Sequence, residues 1–339
     1  MSAPQLRYVF IPAAVLAAAL LFVACGSGGD KSGESAGAVL DEATLQGVDS
    51  ARLDLSLGLT AKGEEGGNLD VSLSGPFQSE GQGSLPDLDL TAKAKGSVNG
   101  DDVDFEGGFV LLQNSAYVNY EGTEYEVDPT TFGYVESTLR EAQREAGAET
   151  GSEGAAACQE EFGKLNVASF FEGGANEGSA EVDGTATTKV SGDLDVAGAI
   201  DTVLEAAKSP ACRAQLAIAG PLPSDAEVEK AKDEVSGSLK NARADVYVGD
   251  DDIVREIAAQ LTIEPKSSGK GPRSVTIDLE LKLSGVNEEQ RIVPPKNTKP
   301  LSKLFLKLGV NPIELLGLLE GEGEGLNELL EGLGASQLR

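Results

Sequence analysis

Apolar and polar residues alternate one by one along several long stretches of this 339-residue chain. Near the start, Leu53, Leu55, Leu57 and Leu59 are separated by single polar residues or glycine, and the stretch from Val275 to Leu283 repeats the pattern. A period of two puts the apolar side chains on one face of a β-strand and the polar ones on the other. These stretches therefore predict a large antiparallel sheet with one apolar and one solvated face.

Glycine-rich segments separate the predicted strands at the spacing of β-hairpins. "KGEEGGN" and "VNGDD" are two of them, and they predict a meander that continues through residue 128. A strand or hairpin is predicted from residue 179, and a second hairpin in 242–265 turns at "GDDD". We expect the sheet to end within 292–300, because the prolines of that segment have no N–H to donate.

Only a few helices are available to cover the apolar face of this sheet. Helical spacing is present over 38–46, 197–207 and 224–239, while the irregular stretch 134–171 is interpreted as a loop or helical excursion held by Cys158. A one-sided sheet buries its apolar face against another layer. Where the helices leave space, an apolar cavity suited to alkyl chains is expected, and a fully packed core is the alternative.

The first 24 residues have the pattern of a lipoprotein signal peptide. Arg7 supplies a positive charge, and the apolar run from Val9 to Ala24 is short for a membrane-spanning helix. Val23-Ala24-Cys25 is similar to the end of a bacterial lipobox, although Phe22 replaces the usual leucine. A plain signal peptide and an uncleaved N-terminal anchor are the alternatives.

Cleavage before Cys25 would leave that cysteine as the first mature residue, acylated with fatty chains such as palmitate. Two or more acyl chains anchor a protein stably, at about 0.8 kcal/mol per buried CH₂. Residues 25–37 are rich in Gly and Ser and predict a flexible stalk. We therefore expect an extracytoplasmic protein, anchored to the bacterial cell membrane by lipidated Cys25.

Two cysteines remain for the folded part of the chain. Cys158 and Cys212 form an even pair in an oxidising compartment, so we expect a disulfide between them, with two separate buried thiols as the alternative. A metal site is not expected, because the chain has no histidine and no CxxC spacing. No cofactor is expected either.

Charge and composition exclude other classes of function. The formal net charge of −29 disfavours nucleic acid as a partner. Without histidine, a Ser-His-Asp or Cys-His site cannot be assembled, and we expect no enzymatic activity. The carboxylate clusters at 101–102 and 250–252 fall at predicted turns, where aspartate is favoured. We interpret them as solvated turns, with a weak Ca²⁺ site as the alternative.

The C-terminal tail, residues 296–339, has a character of its own. Its leucines fall in three short segments broken by Gly and Pro, and they are too numerous to leave in water. The tail is interpreted as a packing appendix on the domain. The alternative is an amphipathic element that lies on a membrane or plugs a cavity.

The order of the predicted elements suggests a family. A lipobox and stalk precede "AVLDEATLQGVDSARLDLSL", strands run to "FVLLQNSAYVNYEG", and "VSGDLDVAGAIDTVLEAA" leads through a helix to "NARADVYVGDDDIVREIAAQLTIEP". Over residues 38–295 this progression resembles the LppX/LprG-type lipoproteins of actinobacteria, related in architecture to LolA-like carriers. The resemblance implies an α+β fold, in which helices lie on the concave face of a curved antiparallel sheet, or half-barrel.

The resemblance also implies a lipid or glycolipid ligand held between the sheet and the helices. No ligand-contacting residue carries over by motif, so none is assigned. The leading hypothesis is an anchored lipoprotein that binds a hydrophobic ligand for transport or sensing. The alternative is a non-enzymatic structural or interaction lipoprotein of the cell envelope, with a packed core and no ligand.

Overall fold

The structure is a computed structural model. It describes residues 33–45, 47–63, 66–79, 86–98, 100–133, 167–209, 212, 224–265 and 272–309. The predicted signal peptide with Cys25, the segment around Cys158 and the tail beyond residue 309 lie outside the described residues.

The first half of the sheet is an antiparallel meander, as the alternation predicts. Helix α1 (Ala36–Glu42) precedes it. The strands that follow are β1 (Ser50–Lys62), β2 (Gly67–Gln78), β3 (Asp87–Val98), β4 (Asp101–Leu112), β5 (Ser115–Tyr120) and β6 (Thr123–Glu126). Residues 129–133 are helical.

The second half contains the longer helices. A 3₁₀ turn (Val167–Phe170) leads into β7 (Phe171–Val182) and β8 (Thr185–Leu194). Helices α2 (Val196–Lys208) and α3 (Asp225–Ser238) follow, close to the predicted 197–207 and 224–239. The chain then forms β9 (Leu239–Gly249), β10 (Val254–Ile263), β11 (Ser274–Ser284), β12 (Lys299–Pro300) and helix α4 (Leu301–Leu308).

The twelve strands in the described part of the chain form one sheet, in the order β12-β6-β5-β4-β3-β2-β1-β11-β10-β9-β8-β7. Every pair is antiparallel except β12 with β6. The first strand pairs with the eleventh, so the two halves of the chain join at the centre of the sheet. The predicted fold class is confirmed: the sheet is curved and unclosed, with a few helices.

Gly75 shows why glycine is needed at one position within the long strands. It has φ 147°, and a Cβ atom built there would lie 1.8 Å from the carbonyl oxygen of Asp89 on the next strand. Any side chain at this position would push β2 away from β3.

Helices α2 and α3 cover one part of the apolar face. The buried side of α2, with Val203 and Leu204 among its residues, packs against Leu261 and Ile277 of the sheet. Asp195 caps this helix, because its Oδ1 accepts a hydrogen bond from the N–H of Gly198 at 2.8 Å. The cap fixes where the covering layer begins.

Helix α1 covers the sheet nearer to β7. Val39 and Leu40 are buried against Val190, Val246 and Ile257 in a second cluster. The helix begins at Ala36, two residues before the helical spacing predicts, because Ser35 caps it with a hydrogen bond to the N–H of Ala38.

The last described strand ends at Pro300, within the predicted 292–300, but this segment is not wholly unpaired as its prolines predict. Pro294 and Pro295 do lie outside any ladder, but Lys299 and Pro300 form β12, which pairs in parallel with Tyr125 and Glu126. Pro300 is tolerated because β12 is an edge strand.

Candidate functional site

The pairing register carries the apolar face across the whole sheet. Leu55 of β1 lies opposite Leu281 of β11 on one side and opposite Leu73 of β2 on the other. Leu73 in turn lies opposite Ala92 of β3, which lies opposite Gly107 of β4. Directly paired residues share a face, so one apolar surface spans both halves of the chain. We call it the inner face.

The two halves of the inner face differ in burial. On β9, β10 and β11 its residues are nearly inaccessible, with Ile257 at 2% and Leu281 at 3% relative exposure. On β2 and β4, Val71 is 36% exposed, Phe109 40% and Phe105 44%. None of the three clusters of buried apolar residues identified in the described part of the chain includes a residue of β2 to β6.

We name the inner-facing side chains of β2, β3 and β4 the open apolar face. Between Leu69 and Phe77, Leu88 and Gly96, and Val103 and Leu111, every inner-facing position is an apolar residue or glycine. Its side chains are Leu69, Val71, Leu73, Phe77, Leu88, Leu90, Ala92, Ala94, Val103, Phe105, Phe109 and Leu111.

Aromatic rings mark one border of the open apolar face. A Cβ atom at Gly107 would lie 2.8 Å from Cζ of Phe105, so the Phe105 ring lies over this glycine. Its centroid is 6.4 Å from that of Tyr120 on β5, which faces the same side. The ammonium of Lys307 in α4 lies 4.9 Å from the centre of the Tyr120 ring.

The same lysine ties α4 to the sheet. Lys307 pairs with Glu121 in the β5–β6 turn, and this hydrogen bond raises the pKa of Lys307 above its ordinary value. Leu304 of α4 is buried, whereas Leu306 is exposed. The last described helix therefore ends beside the aromatic border of the open apolar face.

The structure corrects the predicted role of helices 197–207 and 224–239. The resemblance implies a lipid ligand held between these helices and the sheet. Instead, Ala199, Ile200 and Ala207 of α2 and Val228 of α3 are buried in a core that the protein's own side chains fill. The accessible apolar surface is on the neighbouring strands, which these helices do not cover.

A groove of ≈ 740 Å³ lies on the opposite, polar face of the sheet. Six adjacent strands line it, from β3 to β9, with Lys93, Asp70, Gly58, Asp278 and Arg243 among its residues. Charges of both signs line this groove, which distinguishes it from the apolar concavity that the sequence predicts.

Ionisable groups on the polar face have shifted pKa values. Burial raises the pKa of Asp89, and Glu124 adds to the increase. Burial and Glu280 likewise raise the pKa of Glu256. Burial also acts to raise the pKa of Asp245, but hydrogen bonds from Lys189 and Ser191 outweigh it and lower the pKa.

The predicted site residues are only partly described. Cys212 is fully buried in the core beside α2, but Cys158 lies outside the described residues, so their pairing stays a prediction. Cys25 also lies outside them. Among the described residues, no group of three or more His, Cys, Asp or Glu is placed to hold a metal ion.

The two aspartate clusters differ from each other. Asp101 and Asp102 are exposed where β4 begins, as expected for a solvated turn. Asp252 contradicts that expectation: it is fully buried in the β9–β10 turn with φ 64°. Its carbonyl oxygen accepts a hydrogen bond from the N–H of Thr44 at 2.8 Å, which holds the turn against the segment after α1.

In the part of the chain that the structure describes, no helix has both the length and the apolar character needed to span a bilayer.

Sequence reasoning did not find the open apolar face. The alternation places Phe105 and Phe109 on the inner side of β4, but it does not show which strands the helices leave uncovered. One signal was present. The first six strands follow one another through short turns, with no predicted helix between them to return over the sheet.

The comparison with solved structures finds two mycobacterial lipoproteins. LprF from Mycobacterium bovis is 16% identical over 80% of this chain and 99% of its own, with a TM-score of 0.32. The lipoprotein LppX from Mycobacterium tuberculosis is 14% identical over 73% of this chain and 91% of its own, with a TM-score of 0.28. No protein-family model matches the sequence, and no curated protein matches it. At these identities and TM-scores, no function carries over to this chain from either structure.

Proposed function

We propose that the protein is an envelope lipoprotein that binds a hydrophobic, acyl-containing ligand on its open apolar face. The observation that carries the proposal is the contrast in burial within one continuous surface. Leu281 and Leu73 flank the same leucine, yet only the first of them lies in a closed core. Monomeric proteins seldom leave a contiguous apolar surface of this kind without a function.

The chemistry of the open apolar face suits an alkyl chain. Its leucine, valine, alanine and phenylalanine side chains offer no hydrogen-bonding group, so a charged or sugar-like ligand would lose its hydration without compensation. An acyl chain loses nothing by leaving water and gains about 0.8 kcal/mol per buried CH₂. Burial of an acyl chain forms no covalent bond, so binding is reversible, as transport or sensing requires.

The anchor and the disulfide are part of the same proposal. Lipidated Cys25 would hold the open apolar face near the outer side of the cell membrane, where acyl ligands are found. A bridge from Cys158 to Cys212 would fasten the segment before β7 to the core beside α2, closing a loop of roughly 50 residues and contributing about 3–4 kcal/mol.

Titration with the fluorescent fatty acid cis-parinaric acid tests the ligand site. The double variant Phe105→Ser/Phe109→Ser removes the two most exposed side chains of the open apolar face, so we expect its affinity to fall by about tenfold or more. Asp104→Ser is the matched control, since Asp104 is exposed on the opposite face of the same strand. Equal affinities for all three proteins would refute the site.

Host-purified protein tests whether a ligand exists. Native mass spectrometry followed by organic extraction should reveal a non-covalent lipid. Protein that carries none, and that also does not bind the probe, would instead support the structural or interaction lipoprotein.

Two further measurements test the attachment. Cys25→Ala should release the protein from the membrane fraction, and its retention there would contradict the lipobox.

Intact mass before and after reduction should show one disulfide, and two free thiols in exported protein would contradict the pairing.

A further inference from the structure

The leucine-rich segment 310–339 begins at the border of the open apolar face. Helix α4 ends at Leu308, and Gly309 terminates it in the left-handed conformation with φ 70°. One residue before this end, the Lys307 ammonium lies over the ring of Tyr120, which neighbours Phe105. The segment therefore leaves the described structure beside the open apolar face.

The sequence of this segment supplies an apolar stripe. Leu326, Leu329, Leu330 and Leu333 have the spacing i, i+3, i+4, i+7, which puts them on one side of a helix. Glu328 and Glu331 fall outside that stripe. A side of four leucines cannot remain in water without cost, and the open apolar face, beside whose border α4 ends, matches it in chemistry.

Residues 310–339 are also numerous enough to span the open apolar face. The open apolar face lies within the five strand spacings from β6 to β1, about 24 Å at 4.8 Å each. Thirty residues extend about 45 Å even when fully helical.

A second copy of the chain is a poorer occupant. The formal net charge of −29 makes two copies repel one another, whereas an attached segment has an effective concentration in the millimolar range.

We propose that residues 310–339 pack their leucine stripe on the open apolar face of the same chain and compete there with the acyl ligand. The competition rests on the proposed function, while the packing stands independently of it. The lipid-free protein then covers its own binding surface, and a ligand binds only by displacing the segment. The apparent affinity for lipid falls by the fraction of molecules in which the face is free.

Photo-crosslinking in the full mature chain tests the packing without any lipid. With Phe109 replaced by p-benzoylphenylalanine, irradiation of delipidated protein should give adducts within one chain to peptides from 310–339. The same replacement at Asp104, on the opposite face of the strand, should give none. Adducts from position 109 to another region, adducts between two chains, or no adducts would overturn the packing.

Binding of cis-parinaric acid tests the competition. Leu330→Glu places a carboxylate within the leucine stripe, and we expect apparent affinity to rise at least about threefold. Ala335→Glu adds the same charge on the opposite side of the helical wheel and should leave affinity unchanged. Equal affinity of Leu330→Glu and wild type would overturn the competition. Failure of every variant to bind the probe would count against the proposed function instead, and the crosslinks would still decide the packing.

Discussion

The inner face is buried in one half of the sheet and accessible in the other. On β9, β10 and β11 it forms the floor of a closed core beneath α2 and α3, and on β2, β3 and β4 it stays accessible. The strands of both halves have the same alternation and a continuous register through β1. Alternation therefore determines which face a side chain occupies, whereas burial depends on where the chain returns over the sheet.

The connections explain the difference. Helix α2 follows β8 directly and α3 leads into β9, so two helices between these neighbouring strands lie over the inner face. The strands from β1 to β6 are joined by short segments that leave little chain to cover them. The covered half is thus stabilised by the packing of α2 and α3 on its strands. The open half leaves its apolar surface accessible to another molecule or segment.

The largest expected effect comes from truncating one leucine in each half. Leu281→Ala should lower the free energy of unfolding by about 3 kcal/mol, because it removes a fully buried side chain and leaves a cavity. Leu73→Ala, the matched change on the other side of Leu55, should cost about 1 kcal/mol or less, because Leu73 is only half-buried. Urea denaturation of both variants measures the difference, and equal losses would contradict the division into halves.

A smaller effect is expected at the cap of the covering helix. Asp195→Ala removes the acceptor for the N–H of Gly198 at the start of α2 and should cost about 1 kcal/mol. Asp201→Ala on the same helix is the control, since Asp201 is exposed and its ion pair with Lys232 lies outside the cap, so the loss of stability should be clearly smaller. If the control is destabilised as much as the cap variant, the cap is not what fixes the covering layer.

The smallest effect concerns the carboxyls of the polar face. The pKa values of Asp89 and Glu256 are raised, so each group binds its proton more tightly in the folded protein, and its ionisation at neutral pH costs stability. Glu256→Gln in the covered half and Asp89→Asn in the open half should each stabilise the protein at pH 7. Since both groups are partly solvated, the gain should stay below about 0.5 kcal/mol.

The pH dependence supplies the control for this prediction. The gain should shrink as pH falls through the raised pKa values and vanish below the pKa values of the unfolded chain. Melting temperatures at pH 7 and pH 3.5 measure it, and a gain that persists at pH 3.5 would have another cause.

Much of the fold was predictable because strands and hairpins are encoded locally. The spacing of Leu53 to Leu59 and the glycine-rich breaks led to the meander, and the helices at 197–207 and 224–239 were found within a few residues. Pairing between residues far apart in sequence was not predictable. Neither the β12–β6 pair nor the buried Asp252 leaves a local signal, since each depends on a contact with a distant segment.

The apolar character of the candidate site was predictable from the sequence, but its position on the sheet was not. Aliphatic strand faces with few helices indicated an uncovered apolar surface, and the structure contains one. Its place on β2 to β4, away from α2 and α3, follows from the strand order, with β1 beside β11, which periodicity cannot reveal.

Mapping a photoactivatable fatty acid on the protein tests the central claim most directly. After irradiation and digestion, peptide mass spectrometry should find adducts on peptides from β2, β3 and β4, and unlabelled fatty acid should suppress them. Adducts confined to β9, β10 and β11, or an unsaturable distribution over the whole surface, would contradict the assignment of the open apolar face as the ligand site.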